Sequence, residues 1–463
     1  MRVERDALGE RTVPKDVYWG IHTERSIENF PISGLSYPSE MPRAIGAIKA
    51  AAAQANMELS VLDPEIGNLI VQAAREVMEG IFDNQFPVDV YQAGAGTSFN
   101  MNANEVIANR ALALIDEPRG NYKKIGPNDH VNMSQSTNDA FPTALRIAAL
   151  WKLERELYPA VERLRDAFTS KSEEFADILT AGRTHLQDAV PITLGQEFGG
   201  YAAAVERAIE RIRESADALK RVNLGATAVG TGINTPPGYQ PIVVDRLSKL
   251  TELELQPAEN LFEITQSAAD FSLVSSALRL LALEMIRISN DLRLLSSGPK
   301  TGFAEIRLPA VQPGSSIMPG KVNPSIPEMV DMVGFQVVGN DTTVALAVQA
   351  GQMELNVMLP VVAYNLLQSV RILSRAALVL SSRCIEGITA NRETAEKYAE
   401  ESEAVVTALS PHIGYLKAAD IAKEALSSNK SIREIALEQD LMDEEELDRV
   451  LDLRTMTGRG SGH

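Results

Sequence analysis

Apolar residues recurring at alternating steps of four and three constrain this chain more than any other feature. Val205, Ile209, Ile212, Ala216 and Leu219 follow steps of 4, 3, 4 and 3. Val274, Leu278, Leu281, Met285, Ile288 and Leu292 repeat the pattern, and Leu153, Leu157, Val161, Leu164 and Phe168 nearly do. That spacing places one apolar stripe along a helix, and the stripe must be buried against another helix. Two further segments, from about Pro327 to Ala350 and from about Leu355 to Ile385, read the same way. Five helices of about 25 to 30 residues, far above the usual 11 to 12, require a long bundle, so the chain is mainly α. One copy of so long a bundle does not cover all its apolar faces, and oligomerisation is the expected remedy. Shorter helices are expected from Met41 to Met57, from Pro64 to Val77 and from Asn104 to Ala113. Another should start after Phe141-Pro142, and Pro159 should kink or break the segment it interrupts.

Length allows about three domains at ~150 residues each. The natural division is 1–138, a mostly helical N-terminal part; 139–390, the long-helix part; and 391–463, a small helical tail. Within the tail, Ser431-x-x-Glu434 and Asp443-x-x-Glu446 look like helix starts. The last residues, 458–463, should fray.

Several functions are disfavoured. Asp plus Glu is 62 against 44 Lys plus Arg, a formal net charge of −18 with no dense basic run, which argues against nucleic-acid binding. No window of about 18 apolar residues is free of charge, so no membrane span is expected. The single cysteine, Cys384, makes neither an intramolecular disulfide nor a cysteine zinc site, and the charged N-terminus is not a signal peptide; a cytoplasmic protein fits. The five histidines lack metal-site spacing, so no metal is expected. Gly225 to Gly232 has glycines like a phosphate-binding loop, but Thr231 stands where the lysine must be.

Four polar loops interrupt the helices. Gln92 to Asn102 holds two glycines beside Thr97, a turn able to offer backbone N–H groups to an anion. Pro127 to Asp139 packs Ser134, Ser136, Thr137 and Asn138 before a helix, more than N-capping needs. Gly182 to Pro191 carries Thr184 and His185 with Asp188 near enough to set the histidine's tautomer. Gly314-Ser315-Ser316-Ile317-Met318-Pro319-Gly320-Lys321-Val322-Asn323-Pro324 excludes helix and central strand. Composition alone leaves this last loop as either a solvated connection or a site. The hydroxyls, amides, one lysine and one histidine suit a small dicarboxylate. A hydroxyl among them becomes a base only if positive charge and N–H groups lower its pKa.

Gly-Ser-Ser-Ile-Met-Pro-Gly-Lys-Val-Asn-Pro resembles the signature of the fumarase/aspartase superfamily, and all four loops match it in order across nearly the whole chain. Pro87 to Ser98 with Gly-Ala-Gly-Thr-Ser, Ser134 to Asp139 and Asp188 to Pro191 resemble its aspartate-deaminating branch more than class II fumarases. The resemblance implies a three-domain fold and a homotetramer whose long helices form a twenty-helix core, with each active site shared by three subunits. It implies deamination of L-aspartate to fumarate and ammonia without a cofactor. Ser315 would be the base that takes the β-proton. Thr97, Ser136, Thr137, Asn138, Thr184, His185, Lys321 and Asn323 would bind substrate, with Gly314, Ser316, Ile317, Met318, Pro319 and Gly320 completing a loop that closes. Hydration of fumarate is the alternative activity, and a crystallin-like structural role the more distant one.

Overall fold

The computed structural model describes residues 1–428 and 430–458; the expected fraying of 459–463 lies outside the described residues. In chain order the α-helices and the strands longer than two residues are β1 (Arg2–Asp6), β2 (Gly9–Val13), α1 (Ile21–Asn29), α2 (Glu40–Glu58), α3 (Pro64–Met78), α4 (Thr97–Ala113), α5 (Thr137–Lys152), α6 (Tyr158–Glu174), β3 (Leu179–Thr184), β4 (Gln187–Thr193), α7 (Leu194–Ala216), α8 (Tyr239–Thr251), α9 (Leu261–Gln266), α10 (Ala269–Leu295), α11 (Ser325–Gln349), α12 (Leu359–Arg383) and α13 (Arg392–Glu401). The small tail adds α14 (Ser410–Ile413), α15 (Tyr415–Ser428), α16 (Ile432–Glu438), α17 (Glu444–Val450) and α18 (Leu453–Met456). The fold is mainly α. Every β element among the described residues is one half of a two-stranded pairing.

The chain divides into two compact units. The first comprises Met1–Pro159, Ala208–Ala282 and Val333–Ser374; the second comprises Ala160–Arg207, Leu283–Met332 and Arg375–His463. In the first, α2 lies against α3, α5 and α8. Its run of buried alanines, Ala50 to Ala53 and Ala55, lets those backbones approach closely. Tyr37, Phe86, Phe99 and Phe141 form a ring cluster at the start of α4, with Phe99 edge-to-face on Tyr37 and Phe141 and the other pairs tilted. In the second unit the tail has its own apolar cluster around Leu409, Ile421, Ile435 and Leu447. Ser431 caps α16 in a reciprocal box with Glu434, and Asp443 caps α17.

The prolines act as local chemistry demands, in one case against expectation. α5 starts at Thr137, not after Pro142, and Pro142 lies inside it. Proline has no N–H for Asn138 O, and the Asn223 side chain supplies the missing donor at 3.1 Å. Pro159 does not end its segment. It follows a π turn over Leu153–Leu157, where the Tyr158 N–H reaches back to Leu153 O. The extra residue per turn absorbs the lost hydrogen bond and the ring clash. α4 begins at Thr97, seven residues earlier than its apolar pattern indicates, because the Gly94–Gly96 turn leads straight into it.

The stripe-bearing helices leave apolar side chains uncovered. Met332, Phe335 and Leu346 on α11 are 67%, 62% and 61% exposed. No described helix is long and apolar enough to cross a membrane.

Candidate active site

In the first unit, the site residues gather where α4 and α5 begin. Thr97 is the first residue of α4, and its hydroxyl donates to Gly94 O at 3.2 Å. Ser136 caps α5: its oxygen accepts from the Asn138 N–H at 3.2 Å, while its own N–H donates to Asp139 Oδ1 at 2.9 Å. N-capping therefore occupies Ser136 as an acceptor and leaves its O–H proton to give. Thr137 Oγ1 likewise accepts from Asn100 Nδ2 at 3.0 Å and keeps a proton to donate. Asn138 spends one amide proton on Ala228 O at 2.7 Å and retains a second. Three donors at one helix N-terminus have the chemistry to take an anion.

Beneath them lies a buried polar platform that sequence reasoning missed. Lys49 on α2 is fully buried and donates to Asn100 Oδ1, Asn132 Oδ1 and Gln135 Oε1, each at 2.9 Å. Asn104 donates to the same Asn132 oxygen at 3.2 Å. Burial lowers the Lys49 pKa to about 7. Asp139, also fully buried, accepts from the N–H groups of Ser136, Gly225 and Thr227, and burial raises its pKa to about 6. The one available signal was a lysine inside the Ala-rich helix 44–53, a position with no exposed face.

In the second unit, the Gly182–Pro191 stretch is not a loop but a hairpin. β3 and β4 pair antiparallel, with Thr184 opposite Gln187. His185 and Leu186 form its two-residue tip, both with positive φ (56° and 58°), the geometry of a type I′ turn. Non-glycine residues at both positions carry strain, which is held in place by the strands below. Arg183 stacks on the Phe303 ring and sits 2.6 Å from Glu305, which also takes the Thr180 hydroxyl proton. Burial raises the Glu305 pKa, against the pull of Thr180 and Arg183. His185 has no hydrogen-bond or ion-pair partner among the described residues, and the anticipated pairing with Asp188 is not formed; Asp188 is opposite Arg183 in the ladder. Thr184 and His185 are both exposed at the tip.

The signature loop is tied at its base. The Gly314 N–H donates to Lys321 O, and Asn323 Nδ2 donates to Gly314 O, both at 2.7 Å. A Cβ on Gly314 would stand 2.7 Å from Asn323 N and Lys321 O, so only glycine closes this neck. Gly320 takes φ 81°, which turns the chain back toward it. Between them Ser315 Oγ accepts from the N–H groups of Ile317 at 3.2 Å and Met318 at 2.9 Å. The loop walls a cavity of about 560 Å³ lined by Ser315, Met318, Pro319 and Lys321. Ser316 and Ile317 face outward, Ile317 being 83% exposed. The expected residues thus fall into one cluster in the first unit and into a hairpin tip and a loop in the second.

The polar loops thus sit on a long-helix scaffold, and in one of them a serine oxygen is held by two backbone N–H groups. The chain matches the family model described as lyase over residues 9–339 and that described as fumarase C C-terminus over residues 405–458. It belongs to the fumarase/aspartase superfamily. It is 51% identical over 460 residues to the aspartate ammonia-lyase of a Bacillus species, covering 99% of this chain and 98% of that one. It is 49% identical over 459 residues to the aspartate ammonia-lyase of Escherichia coli K12, covering 98% and 96%. Among solved structures, a fumarate lyase:delta crystallin from Brucella melitensis bound to cobalt aligns with a TM-score of 0.95 at 48% identity, covering 98% of this chain and 99% of that one. The class II fumarase of Schistosoma mansoni aligns with the same TM-score and coverage at 37% identity.

Proposed function

We propose that this chain catalyses the reversible deamination of L-aspartate to fumarate and ammonia, as a carbon–nitrogen lyase. The observation that carries the reading is the pair of N–H groups on Ser315 Oγ. A serine hydroxyl is far too weak a base unaided, and donors aimed at its oxygen favour the oxyanion. Ser315 as oxyanion takes the β-proton of aspartate. The electron pair released passes into the adjacent carboxylate, giving an aci-carboxylate dianion. That dianion collapses, the Cα=Cβ bond forms, the Cα–N bond breaks and ammonia leaves with the bond pair. Lys321 and Asn323 hold the charge-bearing carboxylate, and Thr97, Ser136, Thr137, Asn138, Thr184 and His185 bind the rest of the substrate. Each donor matters because charge builds up in the transition state, where one is worth about 10²–10³-fold in rate. The signature loop closes about Gly314 and Gly320 and shuts out water.

The proposed assembly is a homotetramer whose long helices form a twenty-helix core, each site taking loops from three subunits. The uncovered apolar residues of α11 support it. The same reading keeps the three-part division at 138 and 390 and places the protein in the cytoplasm, in keeping with its single, buried, unpaired cysteine.

Fumarate hydration is the rival. The fold does not choose, since fumarase aligns with the same TM-score; the higher identity to ammonia-lyases favours deamination. Ammonia release from L-aspartate and malate formation from fumarate, measured on one preparation, decide the matter. Malate without ammonia rejects the assignment.

A further inference from the structure

Beside the signature loop is a second cavity, of about 480 Å³, lined by Arg307, Lys321, Asn323 and Asn391 together with Gly320 and Val322. Its chemistry is unusual for a chain with net charge −18. It holds two cations and, among the described residues, no carboxylate. Neither the Arg307 guanidinium nor the Lys321 ammonium has a hydrogen-bond or ion-pair partner among the described residues. Asn391 Nδ2 is already committed to Ala304 O and Thr394 Oγ1, while Asn323 Nδ2 spends one proton on Gly314 O and retains a second. Arg307 stands on a fixed base, because Ile306–Arg307 pairs with Thr389–Ala390. Gly320, Lys321 and Val322 also line the cavity that contains Ser315, so they form a wall common to both.

We propose that this cavity is a capture subsite for a carboxylate of the small dicarboxylate substrate, with Arg307 as its fixed anchor and Lys321 as the cation shared with the Ser315 side. The inference rests on the deamination reading above. A guanidinium presents a planar fork that matches a carboxylate, and the volume suits a four-carbon dianion with water. The substrate docks between the two cations while the loop is open. Lys321 then keeps its carboxylate as the loop closes and leaves Arg307 behind. Arg307 therefore acts on capture and not on the chemical step. It is a binding residue that sequence motifs do not mark, since it lies outside all four loops.

The test is steady-state deamination of L-aspartate by the full chain and its Arg307→Ala and Arg307→Lys variants at low and high ionic strength. For Arg307→Ala, kcat/KM should fall about five- to tenfold at low salt with kcat within about twofold, and the gap should narrow as salt rises. Arg307→Lys should recover most of the loss. An unchanged kcat/KM at low salt, or a loss confined to kcat, overturns the proposal. A binding readout separates it from the activity: fumarate titrated calorimetrically into Ser315→Ala and into Ser315→Ala/Arg307→Ala. Weaker binding by the double variant is expected. Equal binding by the two overturns the subsite alone, and no fumarate binding by Ser315→Ala overturns the deamination reading and the subsite with it.

Discussion

The wholly buried Lys49 Nζ lies 2.9 Å from Asn132 Oδ1, and that bond joins α2 to the turn that precedes the donors of α5. All three ammonium protons end on side-chain amide oxygens. The same Asn132 oxygen also takes protons from Asn100 and Asn104, so one lysine fixes the orientation of a shared network.

Lys49→Met should leave two acceptors, Asn100 Oδ1 and Gln135 Oε1, without a donor, while Asn132 Oδ1 keeps those from Asn100 and Asn104; each such loss costs about 1–3 kcal/mol where no water enters. The expected result is a lower denaturation midpoint and, in the folded fraction, a raised KM for aspartate, because Ser136 to Asn138 lose their support. Denaturant titration and kinetics on the same sample check it. A variant with wild-type midpoint and KM would refute the platform's role.

Glu105 gives a pH dependence. It is fully buried and accepts from Gly20 N, His22 N, Thr23 N and the Thr23 hydroxyl, yet burial outweighs these bonds and raises its pKa to about 7 from 4.5. A carboxyl whose folded pKa is raised is bound by protons more tightly in the folded state. Its contribution is full below pH 4.5 and is lost as pH rises through about 7. The stability difference between wild type and Glu105→Gln should therefore shift against the wild type from pH 4.5 to 7 and level off above. A difference that grows in the wild type's favour across that window would show the opposite sign.

How much of this was readable beforehand divides along physical lines. The helices α2, α3, α10, α11 and α12 were legible because apolar periodicity is a local signal that tertiary packing reinforces. The β3–β4 hairpin was not, because its tip is His185-Leu186 and carries no glycine or asparagine to announce a two-residue turn. The start of α5 was misplaced because the donor that excuses Pro142, Asn223, lies 85 residues from the carbonyl it serves. Ser315 and its loop were legible as a motif. The partners of Lys49 were not, since a lysine in an alanine run does not say which distant amides it will meet.

The proposed tetramer makes a third prediction. Phe335 is 62% exposed on α11, and an aspartate there would place a charge in the proposed helical core. Phe335→Asp should run as a smaller species by light scattering and lose deamination with the loss of mass, because the proposed site needs loops from neighbouring subunits. Circular dichroism should still show folded helix. Full activity from a monomer would separate the site from the assembly.

Ser315→Ala isolates the chemistry. Its hydroxyl accepts two backbone N–H groups but is not part of the loop's neck, which Gly314, Lys321 and Asn323 close by themselves. Removing one oxygen from so exposed a loop should leave the denaturation midpoint within about 0.5 kcal/mol and the oligomer intact. Turnover should fall at least about 10³-fold, because the other polar side chains that line the Ser315 cavity among the described residues, Gln312 and the Lys321 ammonium, are not bases for a β-proton that weakly acidic. KM should change little, since the proposed substrate anchors remain. The outcome that would remove Ser315 from its role is a near-normal kcat in a variant of normal mass. A large rise in KM at constant kcat would instead make it a binding group, and the base would have to be sought elsewhere.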